Sequence, residues 1–401
     1  MERILCTGLA LLSVTPAAAQ EIRVKPLAEV RLRGEHTEQD GLAQGSEAVT
    51  ARVRAGVSAI RGRIGALVEA EGTVAIGDHY YDGLHGAATR PLIADPETIG
   101  LYRAQFQYRD KQLVLTAGRQ RIMLDDERFV GGSAFRQNGQ AFDAVRAEWT
   151  PSPKLKADIT YAWSVRTVWG VDGQGARPTA ISGDNVFANL AYATSIGTLT
   201  GFAYLIDQDE AAVQGFRLSS QSYGVRFAGT RPLAPHVKLS YAASFARQSA
   251  YRRNPNDYAA RYYQADAALD IARVRIGATY EVLGASNGVA LTSFQMPVGT
   301  SFRFQGWASK FAPNPPDGVR DLFGTLGYNQ PAAGRFKALT LLAQYHRFES
   351  DRLSRHYGNE IDLLASAKLG RYTLAARYAD YGADRFATDT RKAWLQLDWA
   401  W

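Results

Sequence analysis

The feature that most constrains this chain is a two-residue alternation of apolar and polar side chains. The stretch VTARVRAGVSA, which begins at Val49, places Val53 and Val57 on one side and Arg52 and Arg54 on the other. The same pattern recurs in KLKADITYAWSVR, HVKLSYAASFA, RVRIGATYEV and EIDLLASAKL. A period of two is that of a β-strand with one apolar and one polar face. The chain is therefore predicted to be all-β.

Strand length and aromatic placement distinguish a membrane barrel from a soluble sandwich. The alternating runs extend over about ten residues or more, whereas strands of soluble proteins average about five or six. Tyr, Trp and Phe recur near the ends of the runs, as in interfacial aromatic girdles. The last run, RKAWLQLDWAW, ends on Trp401, which resembles the C-terminal signature of bacterial outer-membrane barrels. We expect a transmembrane antiparallel up-and-down β-barrel in the outer membrane of a Gram-negative bacterium, with a soluble lectin-like β protein as the alternative.

The lengths of the connections predict the topology. Short turns and long polar segments alternate along the chain, as periplasmic turns and extracellular loops do in such barrels. About nineteen strand-like runs are present, and assigning 301–311 to one long extracellular loop leaves eighteen, with sixteen as the alternative. Both chain ends then lie in the periplasm. An eighteen-stranded barrel encloses a water-wide lumen, so its interior is expected to be a pathway and not a packed core. The predicted extracellular segments are 34–48, 77–97, 121–139, 168–183, 207–219, 249–260, 284–320, 348–357 and 381–390.

The first nineteen residues are typical of a secretory signal peptide. Arg3 supplies a basic start, an apolar run follows, and Ala17-Ala18-Ala19 offers a small-residue cleavage site. The apolar run is too short to cross a bilayer. The domain prediction is a signal peptide over 1–19 and a single barrel domain over 20–401. Cys6 is the only cysteine of the chain, so the exported part is expected to have no disulfide.

The charge of the chain narrows its partners. Lys and Arg number 46 and Asp and Glu 39, which gives a net charge of +7. A basic exported protein suits anionic polysaccharide, lipid headgroups or anionic solutes, and nucleic acid is excluded as a partner outside the cell.

One charged stretch, GRQRIMLDDERFVGGSAFRQNGQAFD over 118–143, contains the whole of the third predicted extracellular loop, 121–139. Its charges find no partners in the bilayer core, so the segment cannot face lipid. Phe129, Phe135 and Phe142 favour a loop that folds into the lumen, because solvated loops rarely carry so many large apolar side chains. A solvated, salt-bridged loop is the alternative.

This stretch, together with FQGWASKF and PPDGVRDLFGTLGYN further along the chain, resembles the alginate export family of outer-membrane porins. The resemblance covers about a fifth of the chain and does not establish alginate as the substrate. It implies a lumen narrowed by inward loops and lined with arginines that pass an anionic uronate polymer. It also implies that these residues lie near the constriction: Arg119, Arg121, Arg128 and Arg136, with Asp125, Asp126 and Glu127.

The alternation predicts a wider set of basic residues on the lumen face. Arginine stays charged at any relevant pH and can pair bidentately with a carboxylate, so a ring of arginines favours anions. The alternative is that these residues form cross-strand ion pairs that fill a wide barrel. The predicted basic set is Arg31, Arg33, Arg52, Arg54, Arg103, Arg146, Lys154, Lys156, Arg226, Arg275 and Arg377, with Glu29, Glu69, Glu71, Glu148, Asp158 and Glu281 as acidic partners.

The resulting functional prediction is a passive channel for anionic solutes, including uronate-containing poly- or oligosaccharides, that works without a cofactor or a metal. Expected partners are outer-membrane lipid and, as an open possibility, periplasmic secretion proteins around a monomeric barrel. Two alternatives remain: a general, weakly selective porin, and a barrel enzyme of the lipase or acyltransferase type. No G-x-S-x-G motif supports the enzyme. The one His/Asp cluster, around His79 and His85, is interpreted as a polar loop.

Overall fold

The computed structural model describes residues 21–332 and 334–401, which form one closed sheet of eighteen antiparallel strands. Each strand pairs with the next along the chain, and the first pairs with the last from Glu29 opposite Ala400 to Gln39 opposite Thr390. A short 3-10 turn covers Gln214–Phe216. No helix in the described ranges is long and apolar enough to cross a membrane. The predicted signal peptide lies outside these ranges.

The strands are β1 Arg23–Gln39, β2 Ser46–Arg61, β3 Ile64–Ala75, β4 Thr98–Arg109, β5 Leu113–Gln120, β6 Ala141–Ser152, β7 Leu155–Arg166, β8 Ala180–Thr194, β9 Gly197–Ile206, β10 Ser220–Ala234, β11 Val237–Ala250, β12 Ala259–Ile271, β13 Val274–Leu283, β14 Val319–Gln330, β15 Ala338–Glu349, β16 His356–Leu369, β17 Tyr372–Ala383 and β18 Thr390–Ala400.

The eighteen-strand prediction is confirmed, and so is the pattern of short and long connections. Segment 301–311 belongs to one long loop, as the strand count required. The short turns lie at the end where β1 begins and β18 ends. The long loops lie at the other end and are L1 (40–45), L2 (76–97), L3 (121–140), L4 (167–179), L5 (207–219), L6 (251–258), L7 (284–318), L8 (350–355) and L9 (384–389).

The first hairpin is longer than predicted. A loop was expected over 34–48, but β1 continues to Gln39 and β2 begins at Ser46, with His36 opposite Glu47 in the ladder. Backbone pairing needs no apolar side chain, so the ladder continues where alternation has ended and both faces carry polar groups. The loop bounds read from alternation were therefore too wide at this hairpin.

The two faces of the wall have opposite character. On β2, Val53 and Val57 are 49% and 43% exposed on the outside, whereas Arg52 and Arg54 are buried on the inside. An apolar outer face and a polar inner face are what a barrel needs when it stands in lipid and encloses water. The alternation in the sequence therefore assigned the faces of β2 correctly.

The lumen is partly filled by inserted loops, so the expectation that the interior holds no packed core is corrected in this part of the barrel. L3 and L7 fold inward and bring apolar side chains that pack with the inner wall. Phe129 of L3 lies against Phe202, Tyr262 and Phe294, with ring centroids 5.0 to 5.8 Å apart. Wall side chains of a barrel this wide cannot meet at its centre. The inserted loops supply the missing core.

Reversing the character of the outer face tests this assignment. Replacing Val53 by Arg places a charge against lipid near the middle of β2 and is expected to destabilise the barrel by about 2–4 kcal/mol. Urea unfolding in lipid vesicles, followed by heat-modifiable gel mobility, measures the change. Val53→Ala is the control for loss of the side chain. Equal stability of the two variants would contradict a lipid-facing Val53.

Candidate functional site

L3 crosses the lumen and is tied to two distant parts of the wall. Arg128 donates hydrogen bonds to both carboxylate oxygens of Glu281 on β13, at 2.7 and 2.8 Å. Further along the loop, the carbonyl oxygens of Ala134 and Phe135 accept hydrogen bonds from Arg31 on β1, at 3.1 and 3.2 Å. Neither strand neighbours β5 or β6, which carry the loop. L3 therefore spans the interior, and the prediction that it folds inward is confirmed.

Buried carboxylates fix the far end of L3. Asp95 of L2 accepts the backbone N–H of Gln137 at 2.7 Å and pairs with Arg33 at 3.3 Å. Glu71 on β3 accepts the backbone N–H of Gly139 at 3.1 Å. Hydrogen bonds to a charged group are stronger than neutral ones. The loop backbone is thus held by acids that the wall and L2 supply.

L3 and L7 join each other inside the barrel. Val130 and Val298 form a parallel bridge, and the N–H of Gly131 donates to the carbonyl of Val298 at 3.0 Å. The N–H of Thr300 donates to the carbonyl of Glu127 at 2.9 Å, and its hydroxyl lies 3.2 Å from the carboxylate of Glu127. The two loops therefore form a single partition across the lumen.

L7 is anchored on β16 by two further buried acids. Asp362 accepts the N–H of Trp307 at 3.2 Å, and Glu360 accepts the N–H of Ala308 at 2.7 Å. Gly306 has a φ of +77°, and a Cβ there would collide with the Glu360 carboxylate. Glycine is required at this point because the loop backbone lies directly on the wall carboxylate.

Phe135 of L3 is the centre of a basic cluster. Its ring stacks on Phe302 of L7 with an interplanar angle of 3°. The guanidinium carbons of Arg33, Arg136 and Arg377 lie 4.2, 5.8 and 5.7 Å from the ring centroid. Such cation–π contacts hold arginines in place without neutralising their charge.

The Phe135 cluster keeps an excess of positive charge. It contains six arginines and four carboxylates, and ion pairs join all of these except Arg377, so two positive charges are not balanced within it. Nε and Nη1 of Arg52 and Nη1 of Arg136 and Arg377 are buried without a protein acceptor. A buried donor without an acceptor is costly, and an anion would satisfy it. The members are Arg31, Arg33, Arg52, Arg54, Arg136 and Arg377, with Glu29, Glu71, Asp95 and Asp398.

Most other predicted lumen arginines are neutralised by acids on the wall or on L3. The cross-strand ion-pair alternative therefore describes much of the lining outside the Phe135 cluster. Lys156 pairs with Glu148 at 3.0 Å, and Lys154 lies in the turn between β6 and β7. The neutralised pairs are Arg103–Glu69 at 2.7 Å, Arg146–Asp158 at 2.5 Å, Arg226–Asp126 at 3.0 Å and Arg275–Asp270 at 3.0 Å.

The acids of L3, predicted to lie near the constriction, anchor the loop. Asp125 accepts a hydrogen bond from Asn189 at 2.8 Å and lies 3.4 Å from the Tyr204 hydroxyl. Burial raises the pKa of Asp125 above its usual value. Asp126 pairs with Arg226. Together with the contact of Glu127 to L7, these bonds make the acids part of the support of the constriction.

The structure corrects the expected position of Arg119. This residue lies on the same face of β5 as Leu115, which is 42% exposed on the outside, and it pairs with Asp143 at 2.7 Å. The chain leaves the wall only after Gln120, so Arg119 still belongs to the outward face. Arg121 is half-buried, and its guanidinium lies 3.5 Å from the sulfur of Met123. Of the four arginines implied by the resemblance, Arg136 alone belongs to the Phe135 cluster.

Several residues of the partition were missed from the sequence. Asp95, Glu360 and Asp362 act through backbone N–H groups, and no spacing in the sequence signals such a contact. Phe302 had a signal, since it is a large apolar residue in a polar loop, as Phe135 is. The same reasoning applied to L7 would have found it.

The partition separates two chambers of different character. A cavity of about 380 Å³ lies among L3, L4, L5 and L7 and is lined in part by Trp169, Met296 and Phe311. A second cavity of about 290 Å³ lies along β10 to β15 and includes Arg275 and Arg303. The lining of the first cavity is largely apolar, whereas the lining of the second carries both acidic and basic side chains. A solute that passes the partition meets both environments.

The His/Asp cluster of L2 is a loop contact. Nδ1 of His85 lies 3.0 Å from the carboxylate of Asp82, and the same carboxylate accepts the N–H of Leu84. In the described part of the chain, no three His, Cys, Asp or Glu side chains are arranged to hold a metal ion.

No protein-family model and no curated protein matches this sequence. Solved structures do resemble the fold. OccAB4 of Acinetobacter baumannii superposes with a TM-score of 0.72 at 12% identity, over 96% of this chain and 100% of that one. OpdL of Pseudomonas aeruginosa gives 0.67 at 13% identity over 94% and 98%. OpdQ of the same organism gives 0.68 at 15% identity over 94% and 98%.

At these identities the similarity establishes the fold and not the substrate. These neighbours are outer-membrane porins, which are channels and not enzymes. They support the closed eighteen-stranded barrel fold, and they do not support the resemblance to the alginate export family. The apolar outer wall and this fold agree with the predicted location in an outer membrane.

Breaking the Arg128–Glu281 pair is expected to loosen L3. Arg128→Gln leaves Glu281 buried without a cation, which typically costs about 3–5 kcal/mol. Single-channel recording should show a larger and noisier conductance. The double variant Arg128→Gln/Glu281→Gln also removes the unpaired Glu281 charge. It is expected to restore most of the lower, less noisy conductance of the wild type. A quiet, unchanged conductance in Arg128→Gln would show that this pair does not hold the partition.

Lys310 of L7 predicts a pH dependence at the extracellular mouth. Burial lowers the pKa of Lys310 to about 8, and the nearby Lys392 contributes in the same direction. Lys310 is therefore charged below pH 8 and neutral above it, so the anion-to-cation permeability ratio is expected to fall between pH 7 and pH 9. Reversal potentials measured across this range check the change. Lys310→Met should flatten the profile, and an unaltered profile in that variant would contradict the assignment.

Proposed function

We propose that this protein is a passive outer-membrane channel for anionic solutes and performs no chemical step. The observation that carries the proposal is the Phe135 cluster, where surplus arginines with unused donors stand at the point where L3 and L7 narrow the lumen. Arginine cannot lose its charge in a protein, so the cluster attracts anions at every physiological pH.

The geometry suits weak binding and release. A carboxylate that reaches the cluster can accept hydrogen bonds from Arg52 and Arg377, whose donors have no protein acceptor. Glu29 and Asp398, with side chains 40% and 30% exposed, compete for the same cations. Conduction needs binding strong enough for entry and weak enough for exit. Acids beside the arginines provide that balance.

Uronate-containing saccharides are the substrate class that we propose within the anions. The proposal draws on the resemblance of the L3 and L7 motifs and on the pairing of carboxylates with arginine forks. Chambers of about 380 and 290 Å³ favour short oligosaccharides over a polymer that fills the lumen. A monomeric barrel that follows a cleaved signal peptide over 1–19 completes the proposal.

A general, weakly selective porin is the second candidate. Four lumen arginines outside the cluster are neutralised by carboxylates, and neutral pairs impose little selectivity. The two candidates differ in whether the Phe135 cluster governs which ions pass.

Reversal potentials in a planar bilayer under a salt gradient test the proposal. Arg52→Gln and Arg377→Gln each remove one cluster charge and are expected to lower the anion-to-cation permeability ratio severalfold. Arg275→Gln removes the same charge from the second cavity, where Asp270 neutralises it, and serves as the matched control. Uronate dimers added to the wild-type channel should block it in a concentration-dependent manner, whereas neutral disaccharides should not.

Equal selectivity in the cluster variants and in the control would overturn the anion path and leave the general porin. Anion selectivity without a uronate block would keep the path and remove the uronate assignment.

A further inference from the structure

The barrel wall has a gap beside the upper half of β4. β5 has only eight residues and pairs with β4 from Ala104 to Arg109, so the segment 98–103 has no strand beside it on that face of the ladder. Gly118, with a φ of +109°, stands where the chain prepares to leave the wall, and a Cβ there would collide with the carbonyl of Ala104. The gap is therefore built into the course of L3.

Side chains and loops, not strands, border this gap. Nη1 of Arg119 donates to the carbonyl of Leu101 at 3.0 Å, and the N–H of Val171 in L4 donates to the Thr98 hydroxyl at 3.1 Å. A cavity of about 120 Å³ remains between them, which we call the wall pocket. That volume equals about four water molecules, enough for a tetrahedral oxyanion. Its lining includes Glu71, Leu101, Arg119, Gly139, Arg166 and Val171.

The two arginines of the wall pocket face outward, whereas Glu71, which also lines it, faces the lumen and pairs with Arg54. Phe106, Ala117 and Val145 are cross-strand neighbours, and Phe106 is 72% exposed on the outside. Side chains two residues apart on a strand share a face. Arg119 and Asp143, the next pair of that row, therefore face outward as well.

Arg166 extends the same row across the next strand. It lies opposite Ala141, two residues from Asp143 on β6. The neighbouring Val165 is buried inside, which places Arg166 on the outer side. Both arginines are thus directed away from the lumen.

The height of these charges matches that of lipid headgroups. Tyr161 and Trp163 of β7 are 41% and 44% exposed on the outer wall and lie a few residues below Arg166. Aromatic girdles mark the boundary between acyl chains and headgroups. Arg119 and Arg166 stand at the extracellular ends of their strands, so they reach the outer leaflet above that boundary.

One of the two cations is not neutralised. Arg119 holds both oxygens of Asp143, at 2.7 and 2.9 Å. Arg166, in contrast, has no carboxylate within 4.0 Å among residues 21–332 and 334–401. The wall pocket thus combines room for an oxyanion with an outward-facing guanidinium that makes no ion pair among the described residues.

From this geometry we propose that the wall pocket binds a phosphate monoester of an outer-leaflet glycolipid. Arg166 pairs with the phosphate. Arg119, which Asp143 holds in place, presents a second guanidinium to it. Arginine forks match the geometry of phosphate oxygens. A lipid source is favoured over free phosphate because the cations face the membrane and not the lumen. The inference rests on the outer-membrane location and is independent of what the channel transports.

Native mass spectrometry of the detergent-purified barrel tests the site. The probes are a bisphosphorylated diglucosamine lipid, the same lipid after removal of its phosphates, and inorganic phosphate. We expect the phosphorylated lipid alone to bind tightly, and Arg166→Gln to weaken it about fivefold. Asp143→Asn removes the competing carboxylate and should tighten binding. Arg252→Gln is the matched control, because Arg252 lies on L6 and pairs with Asp184.

The proposal fails if Arg166→Gln binds like the wild type, if Arg252→Gln weakens binding equally, or if the dephosphorylated lipid binds as well. Displacement of the lipid by inorganic phosphate at similar concentration would overturn the lipid source. Heat-modifiable mobility and unchanged ion selectivity of Arg166→Gln show that the variant is folded. Those readings separate failure of this site from failure of the transport proposal.

Discussion

A strand in lipid has no water with which to satisfy its backbone N–H and C=O groups, and this constraint shapes the whole molecule. Every strand must have a neighbour on both sides, so the sheet closes through the pairing of β1 with β18. Closure creates an outside that must be apolar and an inside that can be polar. The alternation of apolar and polar residues along each strand follows from this difference between the two faces.

The same constraint explains why this basic protein has buried carboxylates on its inner wall. A wide barrel must hold its inserted loops against the wall, and loop backbone offers N–H donors that need acceptors. Glu71, Asp95, Glu360 and Asp362 each accept such a donor from L3 or L7. Carboxylates are thus engaged in supporting the partition, and others neutralise wall arginines. The surplus of arginines is confined to one place, around Phe135, where both loops meet the wall.

Local patterns in the sequence predicted the parts of the structure that depend on local rules. Strand number, face and loop order follow from alternation, and the inward course of L3 follows from its phenylalanines. Pairings across the lumen do not follow from such rules. Arg128 meets Glu281, 153 positions away in the chain, and becomes an anchor where a lining residue was expected. Arg119 was misplaced because a motif shared with a family does not show where the strand before the loop ends.

The seam between β1 and β18 also sets an order of assembly. Arg31 and Asp398, which pair across it, are 367 positions apart in the sequence. Arg33 likewise bonds to Gln396 on the other side of the seam. Contacts of such large sequence separation form late, because the intervening chain must be organised first. The Phe135 cluster is therefore completed only when β1 pairs with β18, so its surplus of positive charge is brought together in the last step of barrel closure.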